Sequence, residues 1–177
     1  AALGSLAVNN DDNTATIAAK GVIPIIVSAM ERHKESAAVQ VQACRAIANL
    51  AVNDDIRATI AAAGAFPAVV AAMERHGESA AVQEKAIAAL RNLALDDGNR
   101  AKIVTAGAIP AIVAAMKQHA EVAAVQENAC KALYNLSKLS SNMPLMRSEG
   151  VQQLLEYAKR RFPSQCDRPA SHVLQKL

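Results

Sequence analysis

The chain has 177 residues, about half of them apolar, yet it contains only two Phe, two Tyr and no Trp. Nineteen Lys and Arg face sixteen Asp and Glu, a formal charge of +3, too balanced for the basic stripe of a nucleic-acid binder. No run approaches the ~20 apolar residues of a membrane span, and no secretory signal is read at the start.

One interval governs the rest. Gly21, Gly64, Gly107 and Gly150 recur every 43 residues, and fourteen of twenty aligned positions are identical between 64–83 and 107–126. A fixed period of this length predicts one block of about four stacked repeats rather than several globular domains. The abundant alanine suits helices that pack closely. Each repeat would expose an apolar face alone and bury it only against its neighbours.

Residues 1–20 align with the second half of a repeat, Leu3, Leu6 and Ala7 matching Leu90, Leu93 and Ala94. The chain is therefore expected to begin inside a long helix. That reads as the C-terminal part of a longer protein, or as a chain with an exposed N-terminal stacking face.

Residues 21–63, 64–106 and 107–149 are three full repeats. In the second, Pro67 suits the first turn of a helix, as do its copies Pro24 and Pro110. Val69, Val70 and Met73 form a helical stripe, and Gly77 and Glu78 break it. A longer helix is predicted over 80–95, with Val82, Ala86, Ile87, Leu90 and Leu93 on one face. Asp96, Asp97 and Gly98 read as a turn. A short helix follows over 99–106, ended by Gly107 as a C-cap. In the third repeat Pro144 suits the first turn of the short helix.

Residues 150–177 are a divergent fourth copy. Gln153 replaces the proline, the segment 163–169 (PSQCDRP) reads as a polar loop, and 170–177 echoes 129–136 with two residues deleted. Atypical terminal repeats cap a solenoid, so Leu177 is expected near the true C-terminus. The net charge comes from residues 147–177, with six Lys and Arg against three acids. Lys159, Arg160 and Arg161 read first as a solvated cap, and second as a localisation or phosphate-binding patch.

Several residues carry the resemblance to a known family: the turn Asn53-Asp54-Asp55, the string Ala63-Gly64-Ala65-Phe66-Pro67, the pair Val82-Gln83, and the ending Ala89-Leu90-Arg91-Asn92-Leu93-Ala94. Together they resemble the armadillo repeat over essentially the whole chain. The resemblance implies an all-α, right-handed superhelical solenoid of three-helix repeats. It also implies that the long helices line a concave groove in which extended peptides lie, held by one asparagine per repeat.

The matching asparagines are Asn49, Asn92 and Asn135, with Ser5 and Lys176 at the ends. An amide offers both donor and acceptor, so it can hold a peptide backbone whatever its side chains. The alternative is that these amides bond within or between neighbouring long helices. Four residues earlier lie Arg45, Ala88 and Lys131, where importin-type members carry tryptophans that clamp basic cargo. That departure argues against a nuclear transport adaptor. One turn further back lie Gln42, Lys85 and Asn128. The resulting groove is polar to basic, similar to catenin-type grooves that take acidic segments, unless Glu84 and Glu127 neutralise it.

The other recurring residues have plain readings. His33, His76 and His119 fall at helix ends, facing the negative end of the dipole, and are spaced too widely for a metal site. Asn10, Asp11 and Asp12, like Asn53, Asp54 and Asp55 and like Asp96 and Asp97, suit N-caps and turns. Cys44 and Cys130 alternate with Ile87 as small buried residues, and Cys166 stands apart. Three cysteines without zinc spacing point to a reducing intracellular compartment, cytoplasmic with nuclear as the alternative. No catalytic set, cofactor motif or small-molecule site is read. The chain is expected to bind a protein or peptide, or else to serve as a structural or self-associating scaffold segment through its N-terminal face.

Overall fold

The computed structural model describes residues 21–177, which form eleven α-helices and one 3-10 turn. The expected partial repeat over 1–20, with Ser5, the first acidic turn and the N-terminal stacking face, lies outside the described residues. The helices are α1 (Val22–Arg32), α2 (Ala37–Leu50), α3 (Asp54–Ala62), α4 (Ala65–Arg75), α5 (Ala80–Leu93), α6 (Asp97–Thr105), α7 (Ala108–Gln118), α8 (Ala123–Leu136), α9 (Met143–Ser148), α10 (Val151–Arg161) and α11 (Pro163–Leu174). The 3-10 turn spans Ser140–Asn142, before α9.

Two layers result. The medium helices α1, α4, α7 and α10 pack in order, and the long helices α2, α5, α8 and α11 do the same beside them. The core runs between the layers. Ile87, Leu90 and Leu93 of α5 are fully buried, as are Ile109, Ile112 and Leu133.

The repeated glycine makes the corner between units. Gly64 has φ 78° and Gly107 φ 90°, a left-handed conformation in which a Cβ is strained. Gly64 follows Ala63, the C-cap of α3, and is itself the N-cap of α4, and the two helices meet at 74°. As the sequence suggests, Asn53 and Asp96 act as N-caps. Asn53 accepts from the Asp55 N–H at 3.0 Å and Asp96 from the Asn99 N–H at 2.9 Å. That cap also shifts a boundary. α5 ends at Leu93, Leu95 is exposed, and Asp97 and Gly98 belong to the first turn of α6 rather than to a separate turn.

Polar side chains tie the units internally. Gln40, Gln83 and Gln126 are each 1 % exposed. Each donates its amide to two carbonyls at the end of the preceding medium helix: Met30 and His33, Met73 and His76, Met116 and His119, at 2.9–3.1 Å. The methionine carbonyls have no intrahelical partner, and the histidine carbonyls also accept the backbone N–H of Ser36, Ser79 or Val122. Arg57 and Arg100 likewise close the turn after the long helix, each donating to two carbonyls while pairing with Asp54 or Asp97. Among the described residues no buried side-chain N or O lacks a partner.

The histidines are C-caps, as placed by the sequence, but two of them also bridge repeats. His76 Nε2 lies 2.8 Å from the Lys34 carbonyl, and His119 Nε2 lies 2.7 Å from the Gly77 carbonyl. A ring nitrogen facing a carbonyl carries the proton, so these rings donate to the preceding unit rather than only facing their own helix end.

The last unit departs most from expectation. Residues 163–169 are not a loop but the start of α11. Pro163 suits a helix start, and Cys166, Ala170 and Val173 are fully buried. Their spacing places them on one helix face, which packs on α8 and α10. Two residues of the basic run are engaged here. Lys159 meets Ser171 and Asp167, and Arg161 Nε donates to Glu121 at 2.8 Å. Tyr157 donates to the same carboxylate, and these two hydrogen bonds hold Glu121 below the usual carboxylate range.

Nor does Cys166 stand apart. It lies against Cys130, with a hydrogen bond between the thiols, and this bond together with burial holds Cys130 well above the usual thiol range. Burial alone pushes Cys44 up to about 12. All three cysteines are free and buried. The bond between the thiols lowers Cys166, but all three side chains are fully buried and a maleimide must reach the sulfur, so the native protein should react negligibly at about pH 8. Unfolding in guanidinium should release all three thiols. Rapid labelling of Cys44 without unfolding would contradict this packing.

Candidate functional site

The accessible residues of each long helix fall on one stripe facing away from the medium helices. They include Gln42, Arg45 and Asn49 on α2, Lys85, Ala88, Arg91 and Asn92 on α5, and Asn128, Lys131 and Tyr134 on α8, where Asn135 is buried at 6 % exposure. The spacing of three and four residues gives the stripe within a helix, and the 43-residue period repeats it between helices. The long helices begin at fixed points because Ser36 and Ser79 cap α2 and α5. The buried glutamines then pin each helix to the medium helix before it.

The sequence-predicted residues are thus brought together on one face, but their polar groups are not idle. Asn92 Nδ2 donates to the Ala48 carbonyl of α2 at 2.8 Å, and Asn135 Nδ2 donates to the Arg91 carbonyl of α5 at 2.9 Å. Asn49 is half-buried and also engaged. The asparagine row therefore links neighbouring long helices through one N–H per amide at Asn92 and Asn135. An amide has a second N–H and two acceptor lone pairs, so this link does not exhaust it. At the C-terminal end Lys176 Nζ reaches the Ser137 carbonyl at 3.2 Å.

The charges are also partnered. Lys85 pairs with Glu84 and Lys131 with Glu127, each at 2.5 Å. Asn128 accepts from Arg91 Nη1 at 2.8 Å and donates to the Ala124 carbonyl. The Arg91 Nε donates to Asn92 Oδ1 at 3.1 Å. Arg45, Lys138 and Arg168 form no ion pair among the described residues. The positive character of the face therefore rests on arginines and on the C-terminal end more than on Lys85 and Lys131.

Sequence reasoning missed the residues just before each asparagine, Ala48, Arg91 and Tyr134, although the 43-residue period marks them as one row. It also missed the outer face of α11, because that helix was read in part as a loop. Between α8 and α11 lies a cleft of about 620 Å³, whose lining includes Lys131 and Tyr134 on one side and Asp167, Arg168, Ser171 and His172 on the other.

The sequence profile described as "LRRK2 ARM repeat" matches residues 5–160. The chain belongs to the armadillo-repeat family. Three solved crystal structures of engineered proteins share the armadillo chain's architecture, each at 25 % identity over 99 % of it. Their TM-scores are 0.88, 0.87 and 0.86, and the chain covers 71 %, 70 % and 42 % of them. No curated protein matches the sequence. The armadillo solenoid is a protein-interaction or scaffold fold. No single helix among the described residues is long and apolar enough to cross a membrane.

Proposed function

We propose that the outer face of the long helices binds an extended, polar to acidic segment of a partner protein along the stack. The carrying observation is the row Asn49, Asn92 and Asn135, one amide per repeat in register. At Asn92 and Asn135 the amide is oriented by a bond to the preceding helix. An amide already held in place loses little freedom when it takes up a peptide group. Arg45 and Arg168 favour an acidic ligand. On this reading the chain is a binding module rather than an enzyme, needs no cofactor, and works in a reducing compartment, cytoplasmic or nuclear.

The test is fluorescence anisotropy with pooled acidic and basic peptides. Acidic peptides should bind the wild type, and Asn92→Ala with Arg45→Ala should weaken them by about 1–2 kcal/mol. Because Asn92 also bonds to Ala48, its replacement should cost about 1 kcal/mol of stability, so affinities are compared well below the melting transition. An unchanged affinity would remove the asparagine row. Preferential binding of basic peptides would favour nuclear transport, which Arg45, Ala88 and Lys131 at the tryptophan positions disfavour.

A second reading is supported by the same hydrogen bonds. Asn92, Asn135 and Arg91 join one long helix to the next, which is what a passive scaffold requires. Failure of both pools to bind, with self-association that rises with concentration, would support the scaffold reading.

A further inference from the structure

The cleft between α8 and α11 differs from the rest of the face in shape, aromatic content and charge. Elsewhere on the stripe the residues before the asparagines are Ala48 and Arg91; here the residue is Tyr134. Its ring meets the His172 ring edge-on, with centroids 4.8 Å apart and planes at 75°. The Lys138 ammonium lies 5.0 Å from the Tyr134 centroid. Edge-to-face rings and a cation over a ring are mutually favourable, so Tyr134, His172 and Lys138 hold one another in a fixed wall.

The charges around that wall are mixed, Asp167 itself lining the cleft, but the unpaired ones are positive. Both nearby carboxylates are taken: Glu127 by Lys131 at 2.5 Å, and Asp167 by Lys159 at 3.2 Å. Arg168, which lines the cleft, and Lys138, which reaches it only through the Tyr134 ring, are exposed and have no carboxylate partner among the described residues. Ser171 and Gln175 add neutral polar groups to the rim. An open cleft of about 620 Å³ with an aromatic wall, polar rim and surplus cations suits a carboxylate side chain on an extended backbone. The guanidinium of Arg168 can take a carboxylate through two parallel N–H donors.

We propose that this cleft is the terminal anchor of the groove and takes a glutamate or aspartate of the bound segment. Arg168 and Lys138 receive the carboxylate, and the Tyr134–His172 wall supports its methylenes. The inference rests on the reading of the long-helix face as a peptide groove. It adds where along that face the acidic preference originates.

The experiment uses two fluorescein-labelled peptides, one of alternating Glu and Ser and one with Gln in place of every Glu. Four proteins are titrated at low salt: wild type, Arg168→Gln/Lys138→Gln, Tyr134→Ala, and Arg45→Ala/Asn92→Ala. Both cleft cations are exposed, so the first double variant should melt as wild type does. It should bind the Glu peptide about tenfold more weakly and the Gln peptide unchanged. Tyr134→Ala should also weaken the Glu peptide, and Tyr134→Phe, which keeps the ring, should not. In wild type, the His172 ring resonances should shift on adding the Glu peptide and not the Gln peptide.

The cleft assignment fails, with the groove intact, if the cation variant binds like wild type while Arg45→Ala/Asn92→Ala does not. It fails equally if Glu and Gln peptides bind wild type alike. If wild type binds neither peptide, the groove reading and the anchor fall together.

Discussion

Gln83→Leu should destabilise the solenoid by about 1–3 kcal/mol. Leucine fills nearly the same volume, so no large cavity is made. What is lost is the pair of bonds from Nε2 to the Met73 and His76 carbonyls, at 2.9 and 3.0 Å, in a side chain only 1 % exposed. The His76 carbonyl keeps the Ser79 N–H at 2.9 Å, but the Met73 carbonyl would be left at a helix end with an apolar group against it. A buried, unpaired polar atom costs roughly 1–3 kcal/mol. The measurement is urea unfolding, with a lower midpoint and an unchanged slope. A midpoint equal to wild type would mean that water serves those carbonyls as well as the amide does.

Gln83→Glu separates hydrogen bonding from shape. Its ionised carboxylate would face two carbonyl oxygens, while the protonated acid can donate to one of them. Burial beside acceptors raises the folded-state pKa of such a group. The variant's stability should therefore be greatest below the ordinary glutamate range and fall as pH rises through it. A flat profile would contradict the buried geometry.

Val173→Asp should detach α11, at a local cost upwards of about 4 kcal/mol. Val173 is fully buried on the face that carries Cys166 and Ala170, and a carboxylate there would be taken out of water. Because each unit packs only on its neighbours, the loss should stay at the C-terminal end. Maleimide labelling makes this visible: Cys166 and Cys130 should become reactive while Cys44, in α2, stays protected. Labelling of all three would mean that the stack unfolds as one unit. Labelling of none would mean that α11 tolerates the charge. Detachment also removes one wall of the cleft beside Tyr134, so acidic-peptide binding should weaken with it.

The glutamine row illustrates how far the sequence could be read. Val82 and Gln83 belong to the recurring pattern, and the recurrence itself is plain. That Gln83 reaches back ten residues to a helix end is not, because a period reports equivalence between units and not the partner inside one. The asparagine row has the same limit. Its register along the long helices follows from spacing of three, four and 43 residues. Its bonds to Ala48 and Arg91 of the neighbouring helix depend on how closely those helices approach. Residues 163–169 were misread for another reason. Two prolines and four polar residues outweighed Cys166, whose alignment with Ala170 and Val173 on one face marks the helix.

The repeat, the glycine corners, the asparagine and aspartate caps and the apolar stripes were legible in the sequence, whereas the serine caps of the long helices were not. Each of these is a local consequence of backbone geometry and side-chain type, copied every 43 residues. The tertiary structure alone decided which polar groups are engaged. Lys85 and Lys131 are paired with glutamates, Cys130 lies beside Cys166, and Tyr134 faces His172 across a cleft. The last two join helices from different units, and the ion pairs depend on side-chain placement within one. Such pairings are set by the packing of whole helices, which no spacing along a single chain records.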